Sequence, residues 1–181
     1  MWIRDEQFIR GEIPMTKFEI RALIMANMNI QIGDELLDIG AGTGSISIQA
    51  AKLGAKVVSI EREREGIELI KKNSEKHSVD IEILEGEAPD IIPDRKYDKV
   101  FIGGSGKQME GILKKVLPLI EEGGIILGTF ITLKNLNLFT NILKKQNLKK
   151  IDISLIQSSR VRTKAEMLLA ENPIFIVRGE L

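Results

Sequence analysis

Residues 35–45 read Glu-Leu-Leu-Asp-Ile-Gly-Ala-Gly-Thr-Gly-Ser, so a mainly apolar run is followed by three glycines at alternate positions. The run from Glu35 to Ile39 predicts a short buried strand. Apolar residues then recur with helical spacing, at Ile46, Ile48, Ala50, Ala51 and Leu53. The stretch therefore predicts a strand, a tight glycine turn and the start of a helix. Glycine lets the backbone approach a ligand closely, and the helix start offers free N–H groups.

The spacing of the glycines separates two kinds of cofactor site. Dinucleotide-binding turns follow Gly-x-Gly-x-x-Gly and hold a pyrophosphate at the helix N-terminus. Here the pattern is Gly-x-Gly-x-Gly, position 45 is serine, and Asp38 stands two residues before Gly40. This pattern resembles the first motif of class I S-adenosylmethionine (AdoMet) methyltransferases. It disfavours a nicotinamide-dependent dehydrogenase, and a tight turn without a ligand is the plain structural alternative.

Composition bounds the class of protein. A length of 181 residues suits one domain over residues 1–181, and equal numbers of basic and acidic residues, 26 each, argue against a general nucleic-acid footprint. The absence of cysteine excludes disulfides, zinc–thiolate sites, cysteine nucleophiles and hence methylation of RNA cytosine at carbon 5. No apolar run approaches the ~18 residues of a membrane span, and the first residues lack signal-peptide form. We therefore expect a cytoplasmic protein without nucleic-acid, membrane or metal partners.

Strands and helices alternate along the rest of the chain. Further strands are predicted at 57–61, 81–86, 97–102, 125–131, 151–156 and 173–177, and further helices at 16–29, 63–77, 109–120 and 136–146. Thr16, with Glu19 three residues later, predicts a capping box for the first of these helices. The last two strands have no long helix between them, which indicates an antiparallel edge. Pattern and resemblance together predict an α/β fold, doubly wound and Rossmann-like, with a seven-stranded mainly parallel sheet and an antiparallel C-terminal edge strand.

Two further sites are predicted from their places in this sheet. Glu61 ends a strand about twenty residues past the glycine turn, where such folds place a carboxylate for ribose hydroxyls; a solvated glutamate is the alternative. Gly103, Gly104 and Ser105 follow the fourth strand and face the same crevice, or form a flexible turn. His77, at a helix end, is interpreted as a surface residue. No catalytic residue, dyad or triad can be identified.

The whole chain resembles the decarboxylating cobalt-precorrin methyltransferases of cobalamin biosynthesis. The stretches that carry the resemblance are Asp5-Glu6-x-Phe8-Ile9, Pro14-Met15-Thr16-Lys17-x-Glu19-Ile20-Arg21, the Asp38–Gly44 motif, Glu85-Gly86-Glu87-Ala88-Pro89, Gly103-Gly104-Ser105-Gly106 and Asn172-Pro173. The resemblance implies AdoMet as cofactor, with contacts from Thr16, Gly40, Ala41, Gly42, Thr43, Gly44, Glu61, Glu87 and Ala88. The family often has cysteine at Ala41 and aspartate at Glu61 and Glu87. For Thr16, a helix cap alone is the alternative.

The same resemblance implies two reactions on an anionic tetrapyrrole, a cobalt-precorrin: methyl transfer to carbon 15 and loss of carbon dioxide from the ring C acetate. Substrate contacts are expected from Gly103, Gly104, Ser105, Arg160 and Arg162, because arginine binds carboxylates bidentately; a solvated basic loop is the alternative for the two arginines. Arg10, Lys17 and Arg21 form a second candidate basic group. The resemblance also implies a homotetramer. The rival functions are another class I methyltransferase, acting on isoaspartyl protein or RNA, and a non-catalytic binder of AdoMet or nucleotides.

Overall fold

The computed structural model describes residues 1–146, 148, 150–162 and 166–181, with the side chain of Arg162 excepted. The helices are α1 Phe18–Met28, α2 Ser45–Lys52, α3 Arg64–His77, α4 Met109–Val116 and α5 Leu133–Lys145, with 3-10 turns at Asp5–Gln7 and Leu117–Leu119. The strands are β1 Glu35–Ile39, β2 Lys56–Glu61, β3 Glu82–Glu85, β4 Tyr97–Ile102, β5 Ile120–Phe130, β6 Lys150–Ile156, β7 Ser159–Arg162, β8 Met167–Ala170 and β9 Ile174–Glu180. None of the described helices combines the length and the apolar character needed to cross a membrane.

Seven strands form one sheet in the order β3-β2-β1-β4-β5-β9-β6. Strands β1 to β5 are parallel, whereas β9 runs antiparallel to both β5 and β6. The predicted fold class is confirmed, and the C-terminal strand β9 lies one position inside the edge, which β6 occupies. After β1 the chain forms β2 and β3 on one side of β1, and after β3 it crosses to form β4 on the other side. The strands β1 and β4 therefore flank the switch point, where such sheets bind ligands.

Apolar side chains fill both faces of the sheet, as a parallel sheet requires. Neighbouring residues of β1 point to opposite faces. Leu36 packs with α1 and α2, and Leu37 packs with α4 and α5. The sheet is therefore held between two helical layers, which leaves the carboxyl ends of β1, β2 and β4 open to a ligand.

Three local expectations are corrected. The helix predicted to reach Ile120 ends at Val116, because Pro118 lacks the N–H that a continuing helix would need; Ile120 instead begins β5. The capping box is wrong, since Lys17 is the N-cap residue of α1 and no side chain caps it. The stretch after β6, expected to be a loop, contributes the hairpin β7–β8. Glu166 there adopts a left-handed backbone (φ 48°), without the glycine that would have signalled a turn.

Candidate active site

The glycine turn after β1 is built on left-handed backbone. Gly40, Gly42 and Gly44 have φ of 74°, 57° and 75°. A Cβ on Gly40 would lie 2.6 Å from the carbonyl oxygen of Gly104, so the turn touches the backbone of the loop after β4. The N–H of Gly103 donates to the carbonyl of Ile39 at 3.0 Å across the same junction. The two loops predicted to share a crevice are therefore in direct backbone contact.

Glu61 is buried at the end of β2 with its carboxylate turned toward the glycines. Its Oε2 accepts a hydrogen bond from the N–H of Gly42 at 2.7 Å, and its Oε1 accepts from the N–H groups of Arg62 and Glu63, each at 2.8 Å. A carboxylate can accept about four hydrogen bonds. Glu61 thus anchors the turn and keeps acceptor capacity on Oε2 for a further donor.

Asp38 lies beneath the turn in a small polar network. The hydroxyl of Ser47 donates to Oδ2 of Asp38, and the hydroxyl of Ser59 donates to that of Ser47 at 2.7 Å. Oδ1 of Asp38 is buried without a hydrogen-bond partner among the described residues. Burial raises the pKa of Asp38 to about 7; the Ser47 hydrogen bond opposes this rise and the negative charge of Glu61 adds to it. The motif alone indicated an acid here, but not that burial would raise its pKa.

A cleft of about 370 Å³, which we call the turn cleft, opens above these groups. Its lining includes Gly40, Gly42, Glu61, Glu87, Ala88, Gly104 and Ser105 from the residues predicted to bind ligands. Thr16, Ala41, Thr43, Gly44 and Gly103 are outside the lining that the described residues form. The side chain of Thr43 is buried, and a Cβ on Gly44 would meet Ile70 at 3.0 Å, so both residues support the turn from behind. The carbonyl oxygen of Thr16 accepts a hydrogen bond from Nη1 of Arg21 at 2.8 Å.

The lining residues that were not predicted to bind a ligand include Ile13, Pro14 and Arg62. Ile13 and Pro14 form one wall, and the Cβ of a residue at Gly42 would meet Ile13 at 3.4 Å. Arg62 reaches across the mouth, where its Nη1 lies 3.0 Å from Oε1 of Glu87. The only available signal for Arg62 was its place directly after Glu61, and charged residues on both sides obscured it.

A second, smaller cavity of about 150 Å³ adjoins the turn cleft at the carboxyl ends of β4 and β5. We call it the β4–β5 cavity. Its lining residues are Ile102, Gly103, Gly104, Ser105, Gly106, Met109, Thr129, Phe130, Ile131 and Asn135. Three of them, Gly104 to Gly106, also line the turn cleft. The wall between the two spaces therefore carries no side chain larger than serine.

Of the predicted basic residues, Arg21 and Arg160 pair with carboxylates, whereas no such pairing is found for Arg10 or Lys17 among the described residues. Arg21 is fully buried, and its Nη2 lies 3.1 Å from Oδ1 of Asp5. Nη2 of Arg160 lies 3.1 Å from Oδ2 of the same Asp5 and 2.9 Å from Oε2 of Glu19. Arg21 therefore cannot contact a ligand at the surface. The prediction that it belongs to a substrate-binding basic group with Arg10 and Lys17 is wrong for Arg21. The side chain of Arg162 and all of Lys164 lie outside the described residues.

A protein-family model described as "Precorrin methyltransferase domain" matches residues 7–170. A Saccharolobus solfataricus protein named probable cobalt-precorrin-6B C(15)-methyltransferase (decarboxylating) is 38% identical, over 98% of this chain and 94% of its own length. A Salmonella typhimurium protein named cobalt-precorrin-6B C(15)-methyltransferase (decarboxylating) is 34% identical, over 97% of this chain and 94% of its own length. The crystal structure of precorrin-6y C5,15-methyltransferase from Geobacter metallireducens superposes with a TM-score of 0.94 at 27% identity, covering 100% of this chain and 97% of that one. The crystal structure of a precorrin 8w decarboxylase from Methanobacterium thermoautotrophicum superposes with a TM-score of 0.91 at 27% identity, covering 99% of this chain and 100% of that one.

Proposed function

We propose that this chain, which belongs to the precorrin methyltransferase family, uses AdoMet to methylate carbon 15 of a cobalt-precorrin and removes the carboxyl group of its ring C acetate. The observation that carries the proposal is the pair of adjoining spaces at the switch point of the sheet. The turn cleft suits a cofactor, the β4–β5 cavity opens toward an acceptor, and only Gly104, Ser105 and Gly106 separate them. The names of the relatives supply the reaction.

The turn cleft fits AdoMet on two counts. Its volume of about 370 Å³ falls in the range of small-molecule sites. Glu61 lines the cleft, and its Oε2 has acceptor capacity left for a ligand donor. AdoMet would supply an electrophilic methyl group on a sulfonium centre. In this assignment Glu61 accepts from the ribose hydroxyls, Glu87 and Ala88 meet the adenine, and the backbone of Gly40 and Gly42 meets the amino-acid end.

The remaining predicted cofactor residues act through the turn in this proposal. Thr43 and Gly44 hold its shape by burial, and Ala41 does so through its N–H, which donates to the carbonyl of Ile60 at 3.1 Å. Thr16 positions the chain next to Pro14, which lines the cleft. Methyl transfer needs in-line placement of donor and acceptor more than an acid–base pair. A site without an evident catalytic dyad is consistent with that requirement.

A cobalt-precorrin carries several carboxylates, whereas the chain has no net charge, so attraction must come from local cations. Lys107 and Lys134 directly adjoin residues that line the β4–β5 cavity, and both are exposed. Neither forms an ion pair with the residues that the structure describes. We infer that these two lysines contribute more to substrate attraction than Arg160, whose guanidinium already has two carboxylate partners.

We further propose one catalytic domain over residues 1–181 that works in the cytoplasm as a homotetramer, without nucleic-acid or membrane partners. Exposed apolar side chains on the β7–β8 hairpin, among them Val161 and Leu168, support self-association. Light scattering at micromolar concentration should give about four chain masses. An active chain that stays monomeric would contradict this part.

Incubation of the purified chain with AdoMet and cobalt-precorrin-6B tests the main proposal. S-adenosylhomocysteine and carbon dioxide should both form, and the tetrapyrrole should gain one methyl group and lose one carboxyl group by mass spectrometry. AdoMet binding without turnover of the tetrapyrrole would favour a non-catalytic binder. Turnover with RNA or isoaspartyl peptides instead would favour the other methyltransferase classes.

A further inference from the structure

We propose that the β4–β5 cavity is the decarboxylation subsite, which receives the acetate of the tetrapyrrole and holds its carboxylate by neutral donors only. The inference rests on the proposed function and assigns one of its two reactions to a defined place. It joins three observations: the size of the cavity, the polarity of its lining and its shared wall with the turn cleft.

Size limits what can enter. A volume of about 150 Å³ has room for several water molecules but not for a ring of four pyrroles. A side chain of the macrocycle, such as an acetate, can enter while the ring stays outside. The rim offers an apolar contact for that ring, since Ile131, which lines the cavity, is 75% exposed. The substrate would thus dock edge-on, with one substituent inside.

The lining is polar but uncharged. Ser105, Thr129 and Asn135 supply two hydroxyls and an amide, and the other lining residues are apolar or glycine. No lysine or arginine belongs to the lining among the described residues. None of the three polar side chains has a hydrogen-bond partner within that part of the chain; the bond between Asn135 and Thr132 uses the backbone N–H of Asn135. These donors are therefore free to orient a carboxylate.

This polarity matches what loss of carbon dioxide requires. The bond between the acetate methylene and its carboxyl carbon breaks, and the electron pair passes into the conjugated macrocycle. Carbon dioxide leaves, and a water molecule supplies the proton that turns the methylene into a methyl group. The water becomes hydroxide, which carries the negative charge that the carboxylate had, so atoms and charge balance. Negative charge moves away from the carboxylate as the bond breaks. A fixed cation at the carboxylate would stabilise the starting state more than the transition state, and would slow the step.

The shared wall explains how one chain could serve both reactions. Gly104 to Gly106 line both spaces, so a macrocycle edge lying over this wall presents one atom to the turn cleft and a substituent to the β4–β5 cavity. Two groups on neighbouring parts of the ring can therefore occupy both spaces at once. The substrate need not leave between the two steps.

The test places a cation in the cavity by Asn135→Lys. The matched control is Asn141→Lys, the same change at an exposed position of α5 outside the cavity. We expect Asn135→Lys to bind cobalt-precorrin-6B as tightly as wild type or more tightly, in an absorbance titration. Its kcat for carbon dioxide release should fall by about tenfold or more, the effect of one charge-assisted hydrogen bond made only in the ground state. The control should keep both values.

Tighter or equal binding with slower release of carbon dioxide is a signature that misfolding would not produce. Unchanged release by Asn135→Lys would overturn the inference, and so would release and binding lost together in a variant with wild-type melting temperature. If Asn135→Lys fails to fold, Thr129→Lys makes the same test from β5. Wild-type chain that methylates the substrate without releasing carbon dioxide would overturn the inference and leave methyl transfer standing. Failure of the proposed function as a whole would show separately, as wild-type chain that forms no S-adenosylhomocysteine.

Discussion

The carboxylate of Glu61 accepts a hydrogen bond from the backbone N–H of Gly42 at 2.7 Å. The residue expected to bind the cofactor therefore also holds the turn on which the cofactor would lie. Two backbone N–H groups that follow β2 bind the other carboxylate oxygen. Binding and local stability are thus coupled at this position, and a mutation will report on both.

Glu61→Ala should weaken AdoMet binding by about ten- to a hundredfold, because a hydrogen bond to a charged group contributes roughly 1.5–3 kcal/mol. The melting temperature should fall as well, because the N–H of Gly42 loses its partner. Isothermal titration calorimetry and thermal unfolding measure the two effects. Glu68→Ala, at a half-exposed side chain on α3, is the matched control and should change neither. A shift in AdoMet affinity of less than twofold would return Glu61 to a structural role alone.

The glycines of the turn should respond differently to an added Cβ. Gly40→Ala places a carbon 2.6 Å from a backbone oxygen of Gly104, so we expect loss of both stability and binding. Gly42→Val has only Ile13 and Pro14 nearby, so the fold should survive with a strain of roughly 1–2 kcal/mol while AdoMet binding is lost. Gly123→Ala controls for backbone strain, since its φ is 76° and nothing lies within 4 Å of its Cβ. Calorimetry that finds unchanged AdoMet affinity in Gly42→Val would reject the cofactor placement.

Asp38 should make stability depend on pH. Its pKa in the folded chain, about 7, lies above the unfolded value, so the folded state binds the extra proton between these values. The contribution of protonated Asp38 to the free energy of unfolding is complete below about pH 4. It declines as the pH rises toward 7, by roughly 4 kcal/mol in all. Asp38→Asn should remove this decline. Urea unfolding of both proteins from pH 5 to pH 8 measures it, and parallel profiles would show that Asp38 keeps its ordinary pKa.

Substrate attraction should depend on the lysines beside the β4–β5 cavity. Lys134→Gln should raise the KM for the tetrapyrrole several-fold at low salt, with a smaller effect at high salt because of screening. Lys144→Gln, ten residues further along α5 and so about 15 Å away, should have no effect. The KM of the double variant Arg160→Ala and Arg162→Ala is compared with that of Lys134→Gln. Should that variant raise KM more than Lys134→Gln does, the strand β7 would be the main substrate anchor.

The sequence by itself determined the elements around the turn. An apolar run, alternate glycines and a helical stripe are local patterns, and each requires the backbone that the structure shows at β1, Gly40 to Gly44 and α2. The role predicted for Glu61 depended on a distance along the chain that the βαβ unit keeps nearly constant. Local steric preferences and short connections are sufficient for such inferences.

Only the tertiary structure decided which distant groups meet. Arg160 pairs with Asp5 across 155 positions, and this contact joins a predicted substrate residue to an ion-pair network with Asp5 and Glu19. The β4–β5 cavity and the wall of Gly104 to Gly106 exist because β4 and β5 end at the same edge of the sheet. The insertion of β9 between β5 and β6 was likewise absent from the pattern. Charged and polar side chains choose partners by proximity in space and by burial, and no local spacing along the chain records either one.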